Sequence, residues 1–161
     1  MKRIAFIFII YLVAACNTVP ITGRRQLNLL PGTQMRAMAT DQYQQFLSEA
    51  QLIKNTEEAR MLSDVGARIS KAVEAYLIEN GDKELIEDFS WEFNLVEENT
   101  VNAWAMPGGK VVFYKGIMPI CQDANGVAVV MGHEVAHAIA RHGNERMSQG
   151  LLVNFGGLAL S

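Results

Sequence analysis

The chain has 161 residues, half of them apolar, with 13 Gly, 4 Pro, and 14 Lys and Arg against 17 Asp and Glu. That balance belongs to a folded globular chain long enough to bury a core of its own, and it excludes disordered and collagen-like classes. A net charge of −3 with no basic stripe or aromatic-basic interleaving offers nothing to neutralise a phosphate backbone, so nucleic acid is not an expected partner.

At the N-terminus, Met1-Lys2-Arg3 precedes an uncharged run from Ile4 to Ala15, and Cys16 follows. A basic start, an apolar stretch and small residues at its end have the shape of a signal peptide, and the run stops short of the ~20 residues a spanning helix needs. Val13-Ala14-Ala15-Cys16 resembles the bacterial lipobox, which predicts cleavage before Cys16 and a diacylglycerol on its thiol. Acyl chains on one cysteine hold a protein to a membrane surface at about 0.8 kcal/mol per buried methylene. The alternative is an ordinary secretory signal with Cys16 free or paired to Cys121. Asn17 in place of an inner-membrane retention Asp points to a bacterial cell envelope and to the outer membrane, with the mature domain facing the periplasm. The expected division is a signal peptide over 1–15, the lipidated cysteine and a tether over 16–32, and a folded domain over 33–161.

Pro20, Gly23, Pro31 and Gly32 without a sustained period make residues 17–32 read as the tether. Thr33 is placed to cap a helix running to about Ala50, with Met35, Met38, Tyr43, Phe46 and Leu47 on its apolar side. A second helix is set up by Asn55-Thr56 and Glu57-Glu58, carries Met61, Leu62, Val65, Ile69, Val73, Tyr76 and Leu77 at spacings of three and four, and stops at Asn80-Gly81. Residues 82–88 form a charged, solvated connection. The period then changes: Trp91, Phe93 and Leu95 alternate with Glu92, Asn94 and Val96, and Val101 to Met106 and Lys110 to Tyr114 follow, joined by Pro107-Gly108-Gly109. These strands predict a small antiparallel sheet. Asp123 or Asn125 opens the next helix, which carries Val127, Val130, Val135, Ala138 and Ile139 until His142-Gly143 ends or bends it.

That last helix contains His133-Glu134-Val135-Ala136-His137. Histidines four apart on a helix differ by about 40° in azimuth, so both imidazoles reach one ion from the same face. Two adjacent imidazoles and a carboxylate on an apolar helix are costly without a partner, which argues for a metal and for zinc in particular, one ion per chain. Glu134, one step round, is placed to take the proton of a water at the ion and return it to a leaving amine, so peptide hydrolysis is the natural reaction. The metzincin pattern needs Gly at 140 and His at 143, where this chain has Ala140 and Gly143. His142 lies about 140° round a straight helix from His137, and is expected to brace the helix end away from the ion. A gluzincin takes a Glu from a later helix, and no Asp or Glu follows Glu145.

Asn102-Ala-Trp-Ala-Met-Pro-Gly-Gly109, Lys115-Gly116, Gly132-His-Glu-Val-Ala-His137 and Arg141-His-Gly-Asn-Glu-Arg-Met-Ser148 resemble the zinc metallopeptidase family of the CAAX prenyl endopeptidases and HtpX-like proteases. With the lipobox, the resemblance is to its soluble periplasmic lipoprotein branch, similar to BepA and LoiP. It implies an α+β, zincin-like (gluzincin) fold with N-terminal helices, a small sheet and then the active-site helix. It also implies His133 and His137 as zinc ligands, Glu134 as general base, and an edge strand at Asn102 and Ala103 that pairs with extended substrate; the plainer reading of that strand is ordinary sheet. The implied partners are periplasmic or outer-membrane proteins as substrates, in quality control, with outer-membrane assembly machinery beside them. The family's third ligand, a Glu on a helix beyond the motif, has no counterpart, so a truncated product is expected. A rival expectation is a non-catalytic anchored adaptor or chaperone.

Overall fold

The computed structural model describes residues 16–19, 23–87 and 89–159, so the expected signal peptide lies outside the described residues. In chain order the elements are β1 (Cys16–Thr18), β2 (Arg25–Leu27), α1 (Gly32–Glu49), β3 (Leu52–Ile53), α2 (Glu57–Glu79), β4 (Glu92–Val96), β5 (Ala103–Met106), β6 (Lys110–Tyr114), a short α3 (Met118–Cys121), α4 (Ala124–Ile139) and α5 (His142–Ala159). The architecture is α+β.

Four strands form one sheet in the order β3, β4, β6, β5. The antiparallel expectation is corrected at its centre. β4 passes over its neighbour in sequence and pairs in parallel with β6, from Glu92 opposite Lys110 to Val96 opposite Tyr114, while the two outer ladders are antiparallel. Alternating side chains determine faces and carry no information on strand direction. β6 sits inside because Val111, Val112 and Phe113 are all fully buried, and a strand with both faces covered reads as a continuous apolar run.

The two covers differ. Val111, Phe113 and Leu95 face α2 and α4, meeting Leu62, Val65, Leu77, Val127, Met131, Val135 and Ile139. Val112 and Val96 face α1 through Tyr43, Phe46 and Leu47. On this second face Tyr43 donates its hydroxyl hydrogen to Glu92 Oε2 (3.1 Å) and accepts from Asn94 Nδ2 (2.6 Å), and Lys110 donates to Glu92 Oε1 (2.5 Å) and to the Ser90 carbonyl (2.6 Å). The polar residues of β4 thus point into a helix-covered layer with their partners supplied. The other face is closed by a contact only glycine permits in this packing: a Cβ on Gly66 of α2 would lie 2.5 Å from the Phe93 ring.

Thr56 caps α2 by accepting the Ala59 N–H (3.2 Å). Thr33 does not cap α1. Pro31 holds the N-cap position with φ −57° and no side-chain hydrogen bond, since its ring already sets the entry to the helix.

Residues 16–32 depart from the expected tether. β1 and β2 pair antiparallel, with Cys16 opposite Leu27, and Val19 and Gln26 are buried. Backbone bonds between Val19 and both Gly23 and Arg24 close the turn. The segment then docks on α5: Leu29 N–H donates to Ser148 Oγ (2.9 Å), and Asn144 Nδ2 donates to the Leu30 carbonyl (2.9 Å). No helix among the described residues is long and apolar enough to cross a membrane.

Candidate active site

The helix that carries the histidines is fixed at its start in two ways. Asp123, of the two candidate caps, accepts from the N–H groups of Asn125 (2.8 Å) and Gly126 (3.0 Å), and these bonds hold its carboxyl below the usual carboxylate range. Gly126 also passes so close to α3 that a Cβ would lie 1.9 Å from the Cys121 carbonyl oxygen. Cys121 itself is a free, buried thiol, and that burial pushes its pKa up; the side chain of Cys16, its expected alternative partner, lies outside what is described.

With Val127, Met131, Val135 and Ile139 buried, α4 turns His133, Glu134 and His137 away from the core; His133 is exposed, and Glu134 and His137 are half-buried. Nε2 of His133 and Nε2 of His137 stand 3.0 Å apart on rings set at 88°. Two nitrogens bound to one tetrahedral zinc at about 2.05 Å would be separated by about 3.3 Å, so the pair fits a shared zinc with little movement. Among the described residues no cluster of three or more His, Cys, Asp or Glu is arranged to hold a metal, and these two imidazoles are the donors the fold brings together.

Glu134 and His137 line one cleft with Asn102, Ala103, Trp104 and Ala105, and with Arg24, His142 and Glu145. Ala103 begins β5, the outer strand of the sheet on this side, and Asn102 immediately precedes it, its carbonyl accepting the Tyr114 N–H (3.0 Å). α4 packs against β5, which brings the sheet edge and the motif together.

His142 is not where a straight helix would put it. α4 ends at Ile139, Arg141 adopts φ 56°, and α5 starts at His142. This break swings the His142 ring back onto His137, Nδ1 to Nδ1 at 2.5 Å. The contact falls on the nitrogen opposite the one that faces His133. Burial first, then the charges of His137 and Arg24, lower the His142 pKa from its ordinary value.

Glu145 is held by both terminal nitrogens of Arg24 (2.8 and 2.5 Å), which keeps its carboxyl below the ordinary range. The last acidic residue of the chain is therefore committed to Arg24. Sequence reasoning missed both this clamp and the His142 contact. The signal for the second was Arg141-His142 directly after the motif; the first had none, because 121 positions separate Arg24 from Glu145.

The sequence profile described as Peptidase family M48 matches residues 64–161. The mitochondrial metalloendopeptidase OMA1 of Schizosaccharomyces pombe is 31% identical over 142 residues, which cover 86% of this chain and 39% of that protein. The mitochondrial metalloendopeptidase OMA1 of Homo sapiens is 29% identical over 161 residues, 98% of this chain and 29% of that protein. A putative beta-barrel assembly-enhancing protease of Vibrio cholerae is 36% identical over 50 residues, 31% of this chain and 10% of that protein. The chain thus spans well under half the length of these relatives. They do not single out the soluble lipoprotein branch. They also overturn the expected location, lipid-anchored in a bacterial envelope at the outer membrane, because the relatives that match over most of the chain are mitochondrial. A basic, acid-free start with an apolar run is a compositional signal that different targeting segments share in part.

Proposed function

The chain belongs to peptidase family M48, and from that premise we propose that it works as a zinc-dependent metalloendopeptidase on protein substrates, with residues 33–161 in its catalytic domain. His133 and His137 hold one zinc per chain through Nε2. When bound, the ion supplies Lewis acidity, which polarises the scissile carbonyl and brings the attacking water's pKa near neutrality. Glu134, on the same face of α4, takes the proton released by the water as it attacks and gives it to the departing amine.

Substrate is held in extended form along β5. Main-chain hydrogen bonds to the open edge at Ala103, with Asn102 beside it lining the cleft, tolerate many side chains and keep the peptide straight, which suits a protease of broad sequence range. The observation that carries the reading is the 3.0 Å convergence of the His133 and His137 Nε2 atoms, with Glu134 in the cleft that β5 borders.

Equilibrium zinc titration tests it. His137→Ala should abolish uptake, while Glu134→Gln should keep the wild-type zinc content and abolish any peptide hydrolysis. Full zinc content in the His137 variant would refute the ligand assignment.

A further inference from the structure

A histidine that binds metal through Nε2 must carry its hydrogen on Nδ1, and the partner of that hydrogen decides how firmly the tautomer and the ring angle are held. Among the described residues, His137 Nδ1 meets His142 Nδ1 at 2.5 Å, with ring centroids 4.8 Å apart and planes tilted by 56°. One of the two nitrogens donates and the other accepts. If His137 donates, its Nε2 keeps a lone pair aimed toward His133; if His142 donates, Nε2 of His137 carries the hydrogen and is closed to a metal.

We propose that His142 is a positioning residue for His137, accepting the Nδ1 hydrogen of His137 on its own Nδ1 and so holding the Nε2 lone pair of His137 toward the His133 side of the cleft.

The proposal rests on the zinc reading given above and assigns a role to a residue outside the five-residue motif. Hydrogen positions follow throughout. His142 keeps its own hydrogen on Nε2, His137 on Nδ1, and in the metal-free chain Nε2 of His133 donates to Nε2 of His137 across their 3.0 Å contact. Zinc entry then displaces a single hydrogen, the one on His133.

The backbone is built for this contact. On an unbroken helix residue 142 would stand about 140° from residue 137. Arg141 takes a left-handed φ of 56°, a conformation disfavoured for a residue with a Cβ, and the next helix restarts with His142 beside His137. Asn144 and Ser148, two and six residues along, tie that helix to residues 29 and 30, so the ring is presented from an anchored element.

The test uses the 161-residue chain with zinc alone as the probe, and long-range proton–nitrogen spectra of the metal-free protein at neutral pH. Wild type should show His137 in the Nδ1–H tautomer. His142→Phe keeps a ring of similar size without an acceptor; it should leave His137 in mixed tautomers and weaken zinc binding by about 10- to 100-fold. His142→Asn, which restores an oxygen near the Nδ1 position, should recover most of the affinity and the single tautomer. If His142→Phe binds zinc as wild type does and keeps the Nδ1–H tautomer, the proposal is wrong. If His142→Phe is too unstable to measure, wild-type and His142→Asn spectra decide the matter, since a dominant Nε2–H tautomer of His137 in wild type overturns it. A wild-type chain with the expected tautomer and no zinc uptake would refute the peptidase reading and leave the hydrogen-bond assignment standing.

Discussion

The position a Cβ would take on Gly126 lies 1.9 Å from the carbonyl oxygen of Cys121. In an open helix, replacing Gly by Ala gains roughly 1 kcal/mol. Here the obstacle is a backbone atom of α3, which cannot rotate aside, and the Gly126 N–H also serves the Asp123 cap. Gly126→Ala should therefore lower stability, by about 1–3 kcal/mol as for other overpacked sites. Urea unfolding followed by circular dichroism reads it, and an unchanged or higher midpoint would show that the α3–α4 junction gives way freely.

Tyr43 offers a pH signature. Burial first, then the charge of Glu92, push its phenol from 10.0 up to about 12. The folded chain then holds this proton more tightly than the unfolded chain does, so the contribution is intact below about pH 10 and is lost as pH rises toward 12. Tyr43→Phe should cost about 1–3 kcal/mol at neutral pH, because Asn94 and Glu92 lose a buried partner. It should also flatten the fall in stability between pH 10 and 12. Parallel curves for the two proteins across that window would refute the assignment.

Ser148 is fully buried, accepts the Leu29 N–H and donates to Asn144 Oδ1 (3.1 Å). Ser148→Ala removes both bonds, at a cost of about 1–3 kcal/mol. The loss should be felt locally first, as faster tryptic cleavage at Arg24 and Arg25 while α2 and α4 stay protected. Equal cleavage rates in the two proteins would show that the docked N-terminal segment does not depend on this serine.

Catalytic zinc ordinarily takes three protein ligands, and the described residues bring together two. The 161-residue chain should accordingly give up its zinc readily to a chelator, with any casein cleavage lost in step. Zinc that resists the chelator would mean that another donor completes the set.

What could be read in advance was local. Thr56 with Glu57 and Glu58, the three-four spacing from Met61 to Leu77, and Pro107-Gly108-Gly109 each carry their structure within a few residues, and α2 and the β5–β6 turn follow. His133, Glu134 and His137 were legible because four positions on one helix set their relation. Pairings were not. Nothing in Glu92 to Val96 says that its partner is Lys110 to Tyr114, parallel and with β5 placed beyond it. His142 was misplaced by extending a straight helix through Arg141, since the left-handed turn there has no glycine to announce it. Arg24, Leu29 and Leu30 read as tether because their partners come more than 110 positions later.

That separation sets an order of events during synthesis. The wall that Arg24 adds to the cleft is translated ahead of the sheet, yet Glu145, Asn144 and Ser148 are made 114 to 121 positions after the residues they hold. At about 5–20 residues per second, the early segment waits roughly 6–24 s for its docking surface to exist. The sheet and its covering helices have every partner they need by Ile139, so they are free to form while the N-terminal residues are still undocked. This wall of the cleft closes last, when Arg24 meets Glu145.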